Sequence, residues 1–189
     1  MANETDLRII KTREAIHSSF EALTKKQPLA NLTVAELCRE ARIGKKTFYR
    51  HYPTLEALAQ ENLDALVSEF FAETEGLVLP EHTAEFVRQL MVFMCDRGNA
   101  DATTECIFCG LGSEKISRDI VSHATELDRI NTRKFGRLSA AEISLVLMFA
   151  ASTTVNMYRQ WVAEGKHLSP KRLSEMAQNL TSSEASLRK

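Results

Sequence analysis

The sequence predicts an all-α protein of about nine helices. Two observations carry that prediction. Glycine (7) and proline (4) are scarce among 189 residues, so the turn signals that separate short strands are few. Apolar residues recur at threes, fours and sevens, and no stretch alternates apolar with polar residues for long. A hydrophobic fraction of 44% with 26% charged residues is ordinary globular composition, enough for one sizeable domain or two small ones.

The elements follow in order. Residues 6–26 form a first helix, with Ile9, Ile16, Phe20 and Leu23 on one stripe. Pro28 in "KKQPLANL" cannot continue it. In "TVAELCREARIG", Thr33 and Glu36 have the spacing of a capping box, each side chain able to satisfy the other residue's orphan N–H. Val34, Leu37, Cys38 and Ala41 give the inner stripe of this short helix. A tight turn leads into a second short helix over about 44–51, so the pair reads as a helix-turn-helix spanning about 33–52. Thr54 caps a longer helix rich in Leu and Phe, and Pro80 closes the loop after it. Helices at about 83–97, 101–110 and 114–132 follow. "SAAE" at 139–142 is a second capping box, opening a long helix to about Glu164. Gly165 breaks that helix, Ser169-Pro170 starts the last one, which runs to about Leu180, and "TSSEASLRK" reads as a frayed tail.

The formal charge of −1 conceals an uneven distribution. Residues 1–60 hold ten Lys/Arg against seven Asp/Glu, and the excess sits in Arg42, Lys45, Lys46 and Arg50. In "IGKKTFYRHY" no acid offsets them. Phe48 and Tyr52, four apart, face the core, leaving Lys46 and Arg50 outward with Lys45, Thr47 and Tyr49 on the flanks. Lysines neutralise phosphates, Thr and Tyr hydroxyls hydrogen-bond phosphate oxygens, and outer residues reach base edges in a major groove.

Other chemistry has little to stand on. Cys106 and Cys109 form a CxxC, but no strand–helix–strand surrounds it, and a zinc site needs about four ligands. Buried packing is the simplest reading, with thiol-based sensing the alternative. No nucleophile elbow, phosphate-cradling loop or paired-carboxylate site is present, so neither an enzyme nor a cofactor is expected. The polar start "MANETDLRIIKTRE" is unlike a signal peptide, and four scattered cysteines fit a reducing cytoplasm.

The stretch "LTVAELCREARIGKKTFYRHYPTLEAL" resembles the DNA-binding segment of the TetR family of bacterial transcriptional regulators. Thr33, Ala41, Ile43, Thr47, Phe48, Tyr49, His51 and Tyr52 stand at the family's positions, and the likeness covers about residues 6–66. It implies a DNA-binding domain over 1–53 and a helical effector-binding and dimerisation domain over 54–189. It also implies a homodimer on a near-palindromic double-stranded operator, a small-molecule effector, and repression as the expected sign. By the same resemblance Lys45, Lys46 and Thr47 contact bases or nearby phosphates, Tyr49 and His51 grip the backbone, and the Thr33 cap approaches phosphate. Arg50 joins them from the outward face. Arg42 stands where the family usually carries glycine, and Leu55 where it usually carries lysine. A left-handed Arg42 would cost about 1 kcal/mol, which a phosphate contact could recover. In the implied effector domain, Phe93, Cys106, Cys109, Phe149, Thr153, Asn156 and Met157 are the expected ligand contacts, although Asn156 fits a surface position equally well. Leu147, Thr154, Tyr158 and Trp161 are the expected dimer stripe. A redox-responsive regulator using Cys106 and Cys109, and a helical interaction module that has lost DNA binding, are the alternatives.

Overall fold

The computed structural model describes residues 4–127 and 139–184. Among them are nine α-helices and no strand. They are α1 (Glu4–Thr24), α2 (Val34–Glu40), α3 (Lys45–His51), α4 (Leu55–Glu73), α5 (Thr83–Ala100), α6 (Ala102–Gly110), α7 (Ser113–Glu126), α8 (Ala140–Ala163) and α9 (Pro170–Glu184). Of the helix expected over 114–132, residues 128–132 lie outside the described ones, as do residues 185–189 of the expected tail. Residues 181–184 of that tail are helical.

Local chemistry sets the boundaries. Thr33 Oγ1 accepts from the Glu36 N–H at 3.2 Å, and the Glu36 carboxylate accepts from the Thr33 N–H at 3.0 Å, completing the capping box at α2. Ser139 and Glu142 repeat the arrangement at α8. Thr54 caps α4 through the Ala57 N–H at 3.1 Å, and Ser169 Oγ accepts from the Arg172 N–H at 3.3 Å. Each such cap contributes about 1 kcal/mol by satisfying donors the helix cannot.

Buried apolar side chains form one continuous cluster from Ile16 on α1 to Ala177 on α9. The helix α5 is its hub, packing against α6, α8 and α9, while α7 lies between α4 and α8. In α1 the expected stripe is only partly inward. Ile16 and Phe20 are fully buried, but Ile9 is 40% exposed, as Leu7 and Ile10 are beside it. Two glycines mark close approaches: a Cβ on Gly98 would stand 2.0 Å from Tyr158 Oη, and one on Gly110 would stand 2.6 Å from Leu29 Cβ.

The helix α6 joins the amino-terminal helices to the rest. It packs on α1 and on the 3₁₀ turn Leu29–Asn31. Thr103 Oγ1 lies 3.0 Å from Thr24 Oγ1 in a buried hydrogen bond, and Cys106 Sγ lies 3.9 Å from the Gln27 carbonyl oxygen.

Candidate nucleic-acid interface

The turn between α2 and α3 closes when the Ile43 N–H donates to the Cys38 carbonyl at 3.0 Å. That geometry puts Arg42 at φ +54, in the left-handed region where a side chain is costly, as the turn position implied. Gly44 then starts α3 with its carbonyl accepting from Thr47 and Phe48. Phe48 is fully buried and Tyr52 is 3% exposed, so the two aromatics anchor the helix from below. Their ring centroids are 6.0 Å apart. The side chains left outside are Lys45, Lys46, Tyr49 and Arg50, with Thr47 half-buried. Tyr49 is 54% exposed, and no core function accounts for so much apolar ring in water.

A polar network that the sequence reading missed sets the angle of this helix. Tyr52 Oη lies 3.0 Å from His17 Nε2, the Arg13 guanidinium stands 5.7 Å over the Tyr52 ring, and Arg13 pairs with Glu61 at 2.5 Å. Glu61 also lies 3.3 Å from His17 Nε2. So α1, the end of α3 and α4 are cross-linked at one point. Burial first, and the neighbouring Glu61 carboxylate second, push the Tyr52 phenol up to about 12. The one available sequence signal was the i, i+4 spacing of Arg13 and His17 on α1. Their partners are 35 and 48 residues away in sequence.

The remaining expected positions divide. Thr33 is exposed, with its hydroxyl engaged in the α2 cap. His51 is half-buried; burial, then Arg50 and Arg13, lower its imidazole pKa, and its Nε2 is buried with no hydrogen-bond partner among the described residues. Leu55 is 8% exposed and belongs to the core, which gives the departure from lysine a packing reason.

In the carboxyl-terminal helices the structure corrects the expected faces. Leu147, Thr154, Tyr158 and Trp161 are at most 5% exposed and turn into the chain's own core, so they are not available to a partner. Phe149 is 55% exposed and Asn156 is also exposed, while Thr153 and Met157 are half-buried. The periodicity of α8 gives two neighbouring stripes; which one meets α5 and α7 is decided by contacts distant in sequence. Two concavities lie beside α5. One is a small, half-open apolar chamber of ≈ 10 Å³ among α4, α5, α6 and α7. The other is a groove of ≈ 360 Å³ along α4 and α5. Phe93 lines both, and none of the other six expected ligand residues lines either. Cys106 and Cys109 are free thiols; burial pushes both up, Cys109 to about 11. Among the described residues no cluster of His, Cys, Asp and Glu could hold a metal ion, and no helix is long and apolar enough to cross a membrane.

Comparison with known proteins agrees with this geometry. Residues 21–61 match the family described as bacterial regulatory proteins, tetR family. Over 58 residues the chain is 38% identical to the HTH-type transcriptional regulator YxbF of Bacillus subtilis, a match covering 30% of this chain and 15% of that protein. The chain thus aligns with a small part of that relative's length. A TetR transcriptional regulator from Streptococcus agalactiae superposes over 94% of this chain and 97% of its own, with a TM-score of 0.59 and 16% identity. RolR in complex with resorcinol superposes over 94% and 90%, with a TM-score of 0.56 and 18% identity. These similar proteins are transcription regulators, not enzymes. The basic, aromatic-anchored second helix behind a threonine-capped first one therefore lies within a segment, residues 21–61, that matches the tetR family of bacterial regulatory proteins, on a chain whose fold is that of the TetR regulator it superposes on.

Proposed function

We propose that the chain is a ligand-responsive transcriptional repressor that binds a near-palindromic operator as a homodimer. The observation that carries this reading is the outer face of α3. Lys45, Lys46, Tyr49 and Arg50 stand together in solvent on a helix whose other side is locked into the core by Phe48 and Tyr52. Such a face meets phosphates through the cations and the phenol, with Lys45, Lys46 and Thr47 also placed to reach nearby base edges. Arg42 stands one turn earlier with its guanidinium in solvent, suited to a phosphate.

Dimerisation is supported by an exposed apolar run on α8. Leu145, Val146 and Phe149 are 70%, 39% and 55% exposed, a patch that a second copy would cover. A dimer would carry two reading heads, which must stand about 34 Å apart to meet successive half-sites. Responsiveness to a small molecule is supported by the route from α5 to the head. One face of α6 holds Thr24, Gln27 and Leu29, and the other, through Phe108, lines the apolar chamber. A ligand that favours another position of α6 lowers DNA affinity by its differential affinity for the two states. That RolR is recorded with resorcinol is consistent with a small-molecule effector. The redox alternative is weakened by the raised thiol pKa values, because the thiolate is the reactive form.

Selection from a random duplex library, sequenced at two salt concentrations, tests the reading. A palindromic site whose enrichment falls steeply with salt is expected. Sequence-independent recovery, or none, would contradict it.

A further inference from the structure

The groove between α4 and α5 has a chemistry of its own. Its volume of ≈ 360 Å³ falls in the range of small-molecule sites, about 300–1,000 Å³. Phe70, Val92 and Phe93 form its apolar floor, and Glu73, Asp96, Arg88 and Arg97 its charged rim. The charges on that rim are not equivalent. Arg88 is already neutralised: its guanidinium donates to Glu85 at 2.5 and 2.8 Å and holds that carboxyl down at about 2. Arg97 is the other cation, and it is held by two acids with a third, Asp96, in the same lining. It pairs with Glu69 at 2.7 Å and with Glu73, while Asp96 has no ion-pair partner among the described residues. With Arg88 set against Glu85, counting Arg97 against the lining acids Glu73 and Asp96 leaves the groove with an excess of one negative charge, and Glu69 adds a further carboxylate just outside the lining.

The position of Arg97 is informative in itself. Its guanidinium lies 5.2 Å from the Phe93 ring centroid, over the aromatic floor and between two carboxylates, and its Nε is buried without an acceptor among the described residues. An aromatic face with carboxylates beside it attracts a cation. The protein's own guanidinium sits in that place, imperfectly satisfied.

We propose that this groove is an effector site for organic cations, an amine or ammonium head on an apolar body. The head takes the ground between Phe93, Glu73 and Asp96 by displacing Arg97, and the body lies on Phe70 and Val92. An anion of the same shape meets the excess acids and is rejected; a neutral molecule gains only the floor. The assignment rests on reading the carboxyl-terminal helices as an effector domain, and the test separates the two.

The test titrates the full chain by calorimetry with three molecules of one shape: 4-butylbenzylamine, 4-butylbenzyl alcohol and 4-butylbenzoate. The amine should bind one per subunit, at least tenfold more tightly than the alcohol, with the benzoate weakest. Glu73→Gln should weaken the amine several-fold. Arg97→Gln should strengthen it, because the internal competitor is gone, and a variant that merely misfolds cannot give that sign. Equal affinity for the three molecules, preference for the benzoate, absence of amine binding, or weakening in Arg97→Gln would overturn the proposal. DNA affinity measured with and without the amine reads the other claim separately. Binding with these preferences but unchanged DNA affinity leaves the cation site standing and removes the ligand-responsive reading.

Discussion

Arg42 shows what a single residue can carry. Its φ of +54 places an arginine where glycine would be relaxed. A side chain there costs about 1 kcal/mol, so Arg42→Gly should raise stability by about that amount in urea melts. The same change should weaken operator binding and reduce the log–log salt slope by about 0.9 if Arg42 meets a phosphate. A less stable glycine variant would show that the arginine is held by something other than DNA. Tyr158 is a second such case. Its hydroxyl is fully buried, pressed against Gly98 and without a hydrogen-bond partner among the described residues. Removing an unsatisfied group costs little, so Tyr158→Phe should leave the melting temperature unchanged or raise it. A loss above about 1 kcal/mol would reveal a partner for the hydroxyl. The left-handed arginine was legible only through the family resemblance, in which glycine usually holds that turn position. The sequence could not reveal the orphaned phenol, because Gly98 and Tyr158 meet only through the packing of α5 on α8.

At the level of helices, caps were legible and faces were not. Thr33–Glu36, Thr54 and Ser139–Glu142 are local signals, and each marks the observed start of its helix. Residues 44–51 were likewise readable as a helix with Phe48 inside, since one turn of spacing decides it. For α8 the same logic gave two stripes, and the one expected to meet a partner, Leu147, Thr154, Tyr158 and Trp161, is instead buried in the chain's own core by tertiary contacts. The outward stripe is then the one to test. Phe149→Asp should leave helicity and melting nearly intact while shifting the sedimentation of a dimer to that of a monomer. Retention of the dimer would move the interface elsewhere. The joint at α6 makes a different prediction. A Cβ at residue 110 would sit 2.6 Å from Leu29 Cβ, and a further Leu29 atom lies at 2.9 Å, so Gly110→Ala must push α6 and the 3₁₀ turn apart. Overpacking of this kind costs about 1–3 kcal/mol, and here it should also change operator affinity without altering any residue of α3.

Across the whole molecule, buried ionisable groups set the alkaline limit. Burial raises Cys95 to about 12, Cys109 to about 11 and Tyr52 to about 12. Their unfolded counterparts release protons near the ordinary values of 9.0 and 10.0. The unfolded state therefore holds fewer protons than the native state in that range, and stability falls as pH rises. The contribution is complete below about pH 9 and is lost up to about pH 12. Cys109→Ala should flatten the lower part of that decline in thermal melts at successive pH values. A profile unchanged by the substitution would mean that the thiol is hydrated. The site is legible across this scale in the same uneven way. Lys45, Lys46, Tyr49 and Arg50 could be read from ten residues, whereas the Arg13–Tyr52–Glu61 clamp and the α4–α5 groove are assembled from segments far apart in sequence.

The central claim is that the outer face of α3 binds DNA, and one measurement tests it most directly. Fluorescence anisotropy of the duplex recovered by selection, titrated with the wild-type chain, Lys46→Ala and Tyr49→Ala over a series of salt concentrations, gives both affinity and salt slope. If Lys46 meets a phosphate, its removal should weaken binding and lower the slope by about 0.9 per subunit. Tyr49→Ala should weaken binding with little change in slope, since it carries no charge. Wild-type affinity and slope in both variants would contradict the account, whatever the fold.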